Sequence, residues 1–71
     1  MTLSERLKGL RIQNGVTQKA IADGIGVTPV SVQRFEYGSA RPKLETVIKL
    51  ADFFKVSIDY LLGRTDKPQV A

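Results

Sequence analysis

Apolar residues recur along this chain at helical spacing, and no stretch shows the strict alternation of a half-buried strand. Thr2 and Glu5 stand at the spacing of a capping box, which predicts a helix starting at Thr2. Leu3, Leu7 and Leu10 then form one stripe, and Gly15 supplies the stop. Thr17 is the predicted N-cap of a second segment whose apolar face is Ala20, Ile21 and Ile25. Gly24 within it costs about 1 kcal/mol relative to alanine, so this helix is expected to be short.

The third segment contains a proline that would break a helix interior. If Thr28 is the N-cap, Pro29 falls at the first helical position, where the missing N–H had no partner to lose. Pro29 therefore starts the helix, Val32 and Phe35 point to one side, and Gly38 ends it. A basic loop, "SARPK", leads to a fourth helix with Leu44, Val47, Leu50 or Ala51, and Phe54 expected inward. Its start is poorly capped, because Lys43 stands where Ser or Asp is preferred. Ser57 caps a last short helix in which Ile58, Leu61 and Leu62 are expected to pack, with Gly63 as the stop. Residues 64–71 carry no pattern and are expected to be a loose, flexible tail after a domain of residues 1–63. The expected architecture is all-α: five helices around one core.

Composition narrows the chemistry. With 71 residues, no cysteine and no histidine, the chain has neither a thiolate nor an imidazole for metal binding, nucleophilic attack or proton transfer. No glycine-rich phosphate loop or paired carboxylates replace them, so no cofactor, metal or catalytic residue is expected, and the chain is not expected to be an enzyme. Stability has to come from apolar helix packing. The net charge of +4 tilts the partner towards a polyanion such as nucleic acid. No apolar run approaches a membrane span and no signal-peptide core is visible, so a cytoplasmic location is expected.

The order of special residues in "TQKAIADGIGVTPVSVQRFE" is the informative feature. Two helices that cross steeply need a small residue at the crossing, met by Ala22, and a turn residue free to take positive φ, met by Gly26. The second helix needs an apolar anchor, met by Val32. Residues 17–37 thus read as a helix-turn-helix.

From Leu7 to about Leu62 the chain resembles the phage repressor and Cro type of helix-turn-helix domain, the XRE family. The matching residues are Leu10, Arg11, Gly15, Thr17, Gln18, Ile21, Ala22, Gly26, Val27, Val32, Glu36, Gly38 and Pro42, and "LETVIKLADFFKVSIDYLLG" is similar to that family's closing helices. The resemblance implies a five-helix, lambda-repressor-like domain that binds operator DNA, commonly as a homodimer on an inverted repeat, and regulates transcription. A bacterial or phage-encoded repressor associated with the nucleoid is the implied setting, with no small-molecule effector expected within this length.

In the docking geometry of the motif, the N-terminal part of the second helix meets base edges in the major groove. Gln33 is the expected adenine reader, Arg34 reads guanine or holds a phosphate, and Val30 can pack on a thymine methyl. Thr28 and Ser31 offer hydroxyls to phosphate or base edges. Pro29 departs from the polar residue usual in the family and donates nothing. By the same resemblance Gln18 is a phosphate clamp, beside the helix start at Thr17 where free N–H groups favour an anion. Ser39, Arg41 and Lys43 are matched to backbone-contacting positions that set affinity without reading sequence. Arg11 and Glu36 match a structural ion pair and are not assigned to DNA.

Val32, Phe35, Phe53 and Phe54 are core residues by the simplest reading. Phe53, Val56, Ile58 and Tyr60 are the surface on which a dimer is expected. Lys8, Lys19, Lys49 and Lys55 read as solvated charges, and Tyr37 reads equally as a phosphate donor or as surface packing. A protein-interaction module on the same fold, of the antitoxin or adaptor kind, is the alternative function, kept open by Pro29 and Val30 at the tip of the helix.

Overall fold

The computed structural model describes residues 1–69. Its five helices run Leu3–Asn14 (α1), Gln18–Ile25 (α2), Pro29–Tyr37 (α3), Leu44–Phe54 (α4) and Ile58–Leu61 (α5). Among the described residues there is no strand. The caps explain most of the boundaries. Thr2 and Glu5 close a full capping box: the Thr2 hydroxyl accepts the Glu5 N–H at 3.2 Å and the Glu5 carboxylate accepts the Thr2 N–H at 3.0 Å. Thr17, Thr28 and Ser57 each accept a backbone N–H three residues on. Lys43 makes no such bond, and α4 starts without a side-chain cap. Pro29 occupies the first turn of α3, where its ring costs nothing.

One core joins all five helices. Leu7, Ile21, Leu50, Leu61 and Val32 are its largest fully enclosed side chains, with Leu10, Ala22, Ile25, Phe35, Val47 and Ala51 around them. Leu50 and Ala51 both face inward, although the apolar repeat of α4 asks for only one of them.

Four expectations about packing need correction. Ala20, expected on the apolar face of α2, is exposed, because Ile21, Ala22 and Ile25 form the buried side and Ala20 falls just outside it. Leu44 is 70 % exposed. It continues the apolar repeat of α4, but it is the first residue of that helix. Its Cα–Cβ bond tilts towards the N-terminus and so carries the side chain past the end of the core. Ile58 and Leu62 are also exposed, at 38 % and 36 %, whereas Leu61 is fully enclosed. A single turn offers one side to the core, and the residues four apart on its other side stay at the rim. Val56, expected on a dimer surface, belongs to the core. The chain leaves α4 through Lys55 in the left-handed region at φ 56°, the Val56 N–H returns to the Ala51 carbonyl at 3.0 Å, and the valine is turned inward.

Gly24 has a packing reason. A Cβ built there would lie 2.6 Å from Cε2 of Phe53, so the missing side chain lets the ring rest directly on α2. Phe53 meets Phe54 edge to face, with centroids 5.0 Å apart. Both rings are half-buried against the core.

Residues 64–69, expected as a loose tail, form no regular element, and two backbone hydrogen bonds join them to the helices. The Arg64 N–H donates to the Asp59 carbonyl at 2.8 Å, and the Pro68 carbonyl accepts the Ser57 N–H at 2.9 Å. Residues 70 and 71 of the expected tail lie outside the described residues.

Candidate nucleic-acid interface

The crossing of α2 and α3 is built as the spacing predicts. Ala22 and Val32 are both fully enclosed at the contact. Gly26 takes φ 77°, and the N–H groups of Gly26 and Val27 both return to the Ala22 carbonyl, at 2.9 and 3.0 Å. A side chain with a Cβ at Gly26 would strain this turn. The turn aims α3 so that Val32 and Phe35 are buried and the opposite side is left open.

That open side carries two rows. Pro29, Gln33 and Tyr37 stand four apart, and Val30 and Arg34 form the row beside them; all five are exposed. Val30 is 52 % and Tyr37 86 % accessible, high values for apolar and aromatic side chains with no partner of their own. Tyr37 continues the Gln33 row by one turn, and that spacing is the signal in the sequence that places it on the same face.

The hydroxyls at the start of α3 are less free than the sequence implies. Thr28 Oγ1 accepts the Ser31 N–H at 3.1 Å and lies 3.0 Å from Ser31 Oγ, in hydrogen-bond contact. One hydroxyl proton is used between the two side chains, leaving a single one to offer outward. Thr17 Oγ1 likewise accepts the Ala20 N–H at 2.9 Å.

Behind the open face lies a buttress. Arg11 Nε on α1 donates to Glu36 Oε2 on α3 at 2.7 Å. Gln18 Nε2 at the start of α2 donates to the other oxygen, Oε1, at 3.3 Å. Glu36 therefore ties three helices together at one carboxylate, and its side chain is only 5 % exposed against 21 % for Arg11. Gln18, assigned to a phosphate by resemblance alone, spends one amide N–H inward and keeps the other. Lys8, Gln18, Gln33 and Tyr37 line one shallow concavity whose floor is the Arg11–Glu36 pair.

The loop after α3 is pinned by one acceptor. The Arg34 carbonyl receives the N–H groups of Gly38, Ser39 and Ala40 at 3.0, 3.1 and 3.4 Å. Ser39, Arg41 and Lys43 project from it into solvent. Among the described residues, Arg6, Arg11 and Arg64 each have a carboxylate at ion-pair distance, whereas Arg34 and Arg41 have none. Both guanidiniums left unpaired thus stand on α3 and the loop that follows it, with the ammonium of Lys43 two residues further on. The described residues contain no group of three or more His, Cys, Asp or Glu able to hold a metal, and no helix long and apolar enough to cross a membrane.

The residues expected on a dimer surface are dispersed. Val56 is enclosed, Phe53 lies against Gly24, and Tyr60 is half-buried under the Arg6 guanidinium, 3.8 Å from the ring centroid. Ile58 alone of the four is an exposed apolar side chain. Leu62, the C-cap of α5, and Leu44 and Ile48 on α4 are exposed apolar residues that the apolar repeat places inward or passes over, as is Ile12 on α1.

Comparison with known proteins agrees with this geometry. The chain is 39 % identical to the cryptic phage CTXphi transcriptional repressor RstR of Vibrio cholerae, over 97 % of this chain and 63 % of that protein. It is 41 % identical to the SPbeta prophage-derived HTH-type transcriptional regulator YonR of Bacillus subtilis, over 86 % of this chain and 56 % of that one. The chain therefore spans about three fifths of the length of these relatives. The P22 c2 repressor, in a crystal structure with a synthetic operator, superposes with a TM-score of 0.85 at 26 % identity, covering 92 % of this chain and 98 % of the repressor chain. The sequence model of the Helix-turn-helix family matches residues 7–61, and this chain belongs to that family, in its phage repressor and Cro branch.

Proposed function

We propose that the protein is a sequence-specific DNA-binding transcriptional regulator, a repressor, whose residues 1–63 present α3 to the major groove of an operator. The observation that carries this reading is the gathering of unpaired guanidiniums and an uncommitted amide on one face. Gln33 and Arg34 stand on α3, Arg41 and Lys43 on the pinned loop, and the Arg11–Glu36–Gln18 buttress fixes α3 from behind. The likeness to a repressor solved on operator DNA supports the same orientation.

Roles divide by chemistry. Gln33 presents an amide able to bond bidentately to adenine, and Arg34 a guanidinium able to do so to guanine. Val30 supplies an apolar surface for a thymine methyl, and Pro29 shapes the tip without donating. Thr28 and Ser31 share one outward proton between them. Thr17 and Gln18, at the start of α2, and Ser39, Arg41 and Lys43 after α3 hold phosphates and set register. Tyr37 extends the Gln33 row towards the same backbone.

A second copy of the chain is the expected partner on DNA, because an inverted repeat needs two recognition helices related by a two-fold axis. The face proposed for it is Ile58 of α5 and its C-cap Leu62 with Leu44 and Ile48 of α4. Exposed Glu45, Lys49 and Asp52 on α4 and Asp59 on α5 put charges of both signs on the same two helices, so each copy can offer an acid to the other's lysine.

The test is selection of sites from a random duplex library, with the enriched site titrated against salt. An inverted repeat with half-sites about 34 Å apart is expected. Salt-sensitive binding without enrichment would refute sequence-specific recognition. In that case the exposed Pro29–Val30 tip favours the protein-interaction reading, and a protein partner becomes the object of search.

A further inference from the structure

Among the described residues, Arg6 is the one buried cation, and the interface does not use it. Its side chain is 9 % exposed, its guanidinium lies 3.8 Å from the Tyr60 ring centroid, and its Nε has no hydrogen-bond partner. A charge removed from water needs a counter-charge close by. Glu5, the adjacent carboxylate, is committed to the Thr2 capping box. The carboxylate that faces Arg6 is Asp66, 3.8 Å from its guanidinium and itself fully exposed.

Asp66 sits midway along residues 64–69, and that segment follows α5 from end to end. It begins where Arg64 bonds the Asp59 carbonyl and finishes where Pro68 accepts the N–H of Ser57, the N-cap of α5. The segment runs antiparallel to a helix of four residues, too short to be stable on its own. Thr65, Lys67 and Gln69 of the segment line one side of a concavity whose other lining includes Val56 and Ile58. The polar side chains of the segment therefore border the apolar face proposed for a second copy.

We propose that residues 64–69 are a strap latched by Arg6, and that the strap sets how much of the apolar surface around Ile58 is open to a second copy of this chain. The assembly half of this proposal rests on the homodimer reading above; the latch half does not. Arg6 acts as a positioning residue: it holds Tyr60 from one side and Asp66 from the other, and so ties the strap to both α5 and α1.

The experiment is amide hydrogen exchange by NMR on the full chain, with sedimentation equilibrium on the same samples. Arg6→Met keeps the aliphatic stem and removes the charge. It is expected to speed exchange of the Ser57 and Arg64 amides roughly tenfold, the worth of a partly buried cation–π contact plus an ion pair. Asp66→Asn, at an exposed position that does not threaten the fold, is expected to speed the same amides by about two- to fivefold. Val32 and Phe35 amides on α3 should be unchanged in both, and self-association should tighten as the strap opens. Unchanged Ser57 exchange in Asp66→Asn, or an equal rise at every amide, overturns the latch. A local rise with unaltered self-association overturns the gating. If every form stays monomeric at millimolar concentration while Ser57 exchange still rises, the homodimer reading fails and the latch stands.

Discussion

The Arg11–Glu36 pair should respond asymmetrically to the loss of either partner. Arg11→Met leaves the Glu36 carboxylate, 5 % exposed, with a single 3.3 Å bond from Gln18. An uncompensated buried charge of that kind costs about 3–5 kcal/mol. Glu36→Gln leaves Arg11, whose side chain is 21 % exposed and can turn towards water, while the new amide still offers an acceptor to one neighbour. Loss of charge-assisted bonds without a stranded anion costs about 1.5–3 kcal/mol. In a domain of this size each kcal/mol lowers the melting temperature by roughly 4–8 °C. Thermal unfolding followed by far-UV circular dichroism should therefore show Arg11→Met melting at least about 12 °C below the parent. Glu36→Gln should fall clearly between the two. The double variant strands no charge and should be less destabilised than the sum of its parts. A Glu36→Gln loss equal to or larger than that of Arg11→Met, or strict additivity, would refute the account of Glu36 as the buried member.

Gln33→Ala is expected to relax one position of each half-site at a cost of about 1–3 kcal/mol, read by repeating site selection on the variant. Arg41→Ala should weaken all sequences alike and lower the slope of log affinity against log salt by about 0.9 for each phosphate that the arginine neutralises. Gly24→Ala gains about 1 kcal/mol of helix propensity but meets the Phe53 ring, 2.6 Å from the new Cβ, so a net loss is expected in urea denaturation. Phe53→Leu in the same chain should recover part of that loss. The backbone N–H and hydroxyl of Thr2 hold the Glu5 carboxyl below its ordinary 4.5. Its contribution is thus complete above that value and is lost as pH falls through the lower folded one. Acid unfolding of Thr2→Val, which removes the hydroxyl but keeps the backbone N–H, should show a modestly shallower loss over that window; an identical profile would count against the hydroxyl as a contributor.

Helix identity is legible in the sequence wherever the signal is local. Thr2, Thr17, Thr28 and Ser57 each sit at a cap that one residue's chemistry decides, and Pro29 is informative because its tolerated positions are few. The buttress is legible only by resemblance, since no spacing rule links Arg11 to Glu36 across 25 residues. What periodicity cannot supply is depth. Leu44, Ile58 and Leu62 obey the apolar repeat as well as their enclosed neighbours do, yet Leu44 reaches past the end of the core and Ile58 and Leu62 lie on the rim of a single turn. Val56 escapes prediction for a related reason: a lysine in the left-handed region turns the next residue inward, and lysine carries no sign of that conformation. The Arg6–Asp66 contact is equally hidden, because a helical pattern assigns Arg6 to solvent although its side chain is buried.

Lys55 is the only residue other than glycine with positive φ among those described, and it sits at the C-terminal end of α4, remote in the chain from the α2–α3 crossing. Left-handed backbone costs an ordinary residue on the order of 1 kcal/mol that glycine does not incur. The domain thus holds unused thermal tolerance at a single position. Lys55→Gly is a first substitution for anyone adapting this scaffold to hotter conditions or to a redesigned α3, because it leaves every side chain on the open side of α3 as it is.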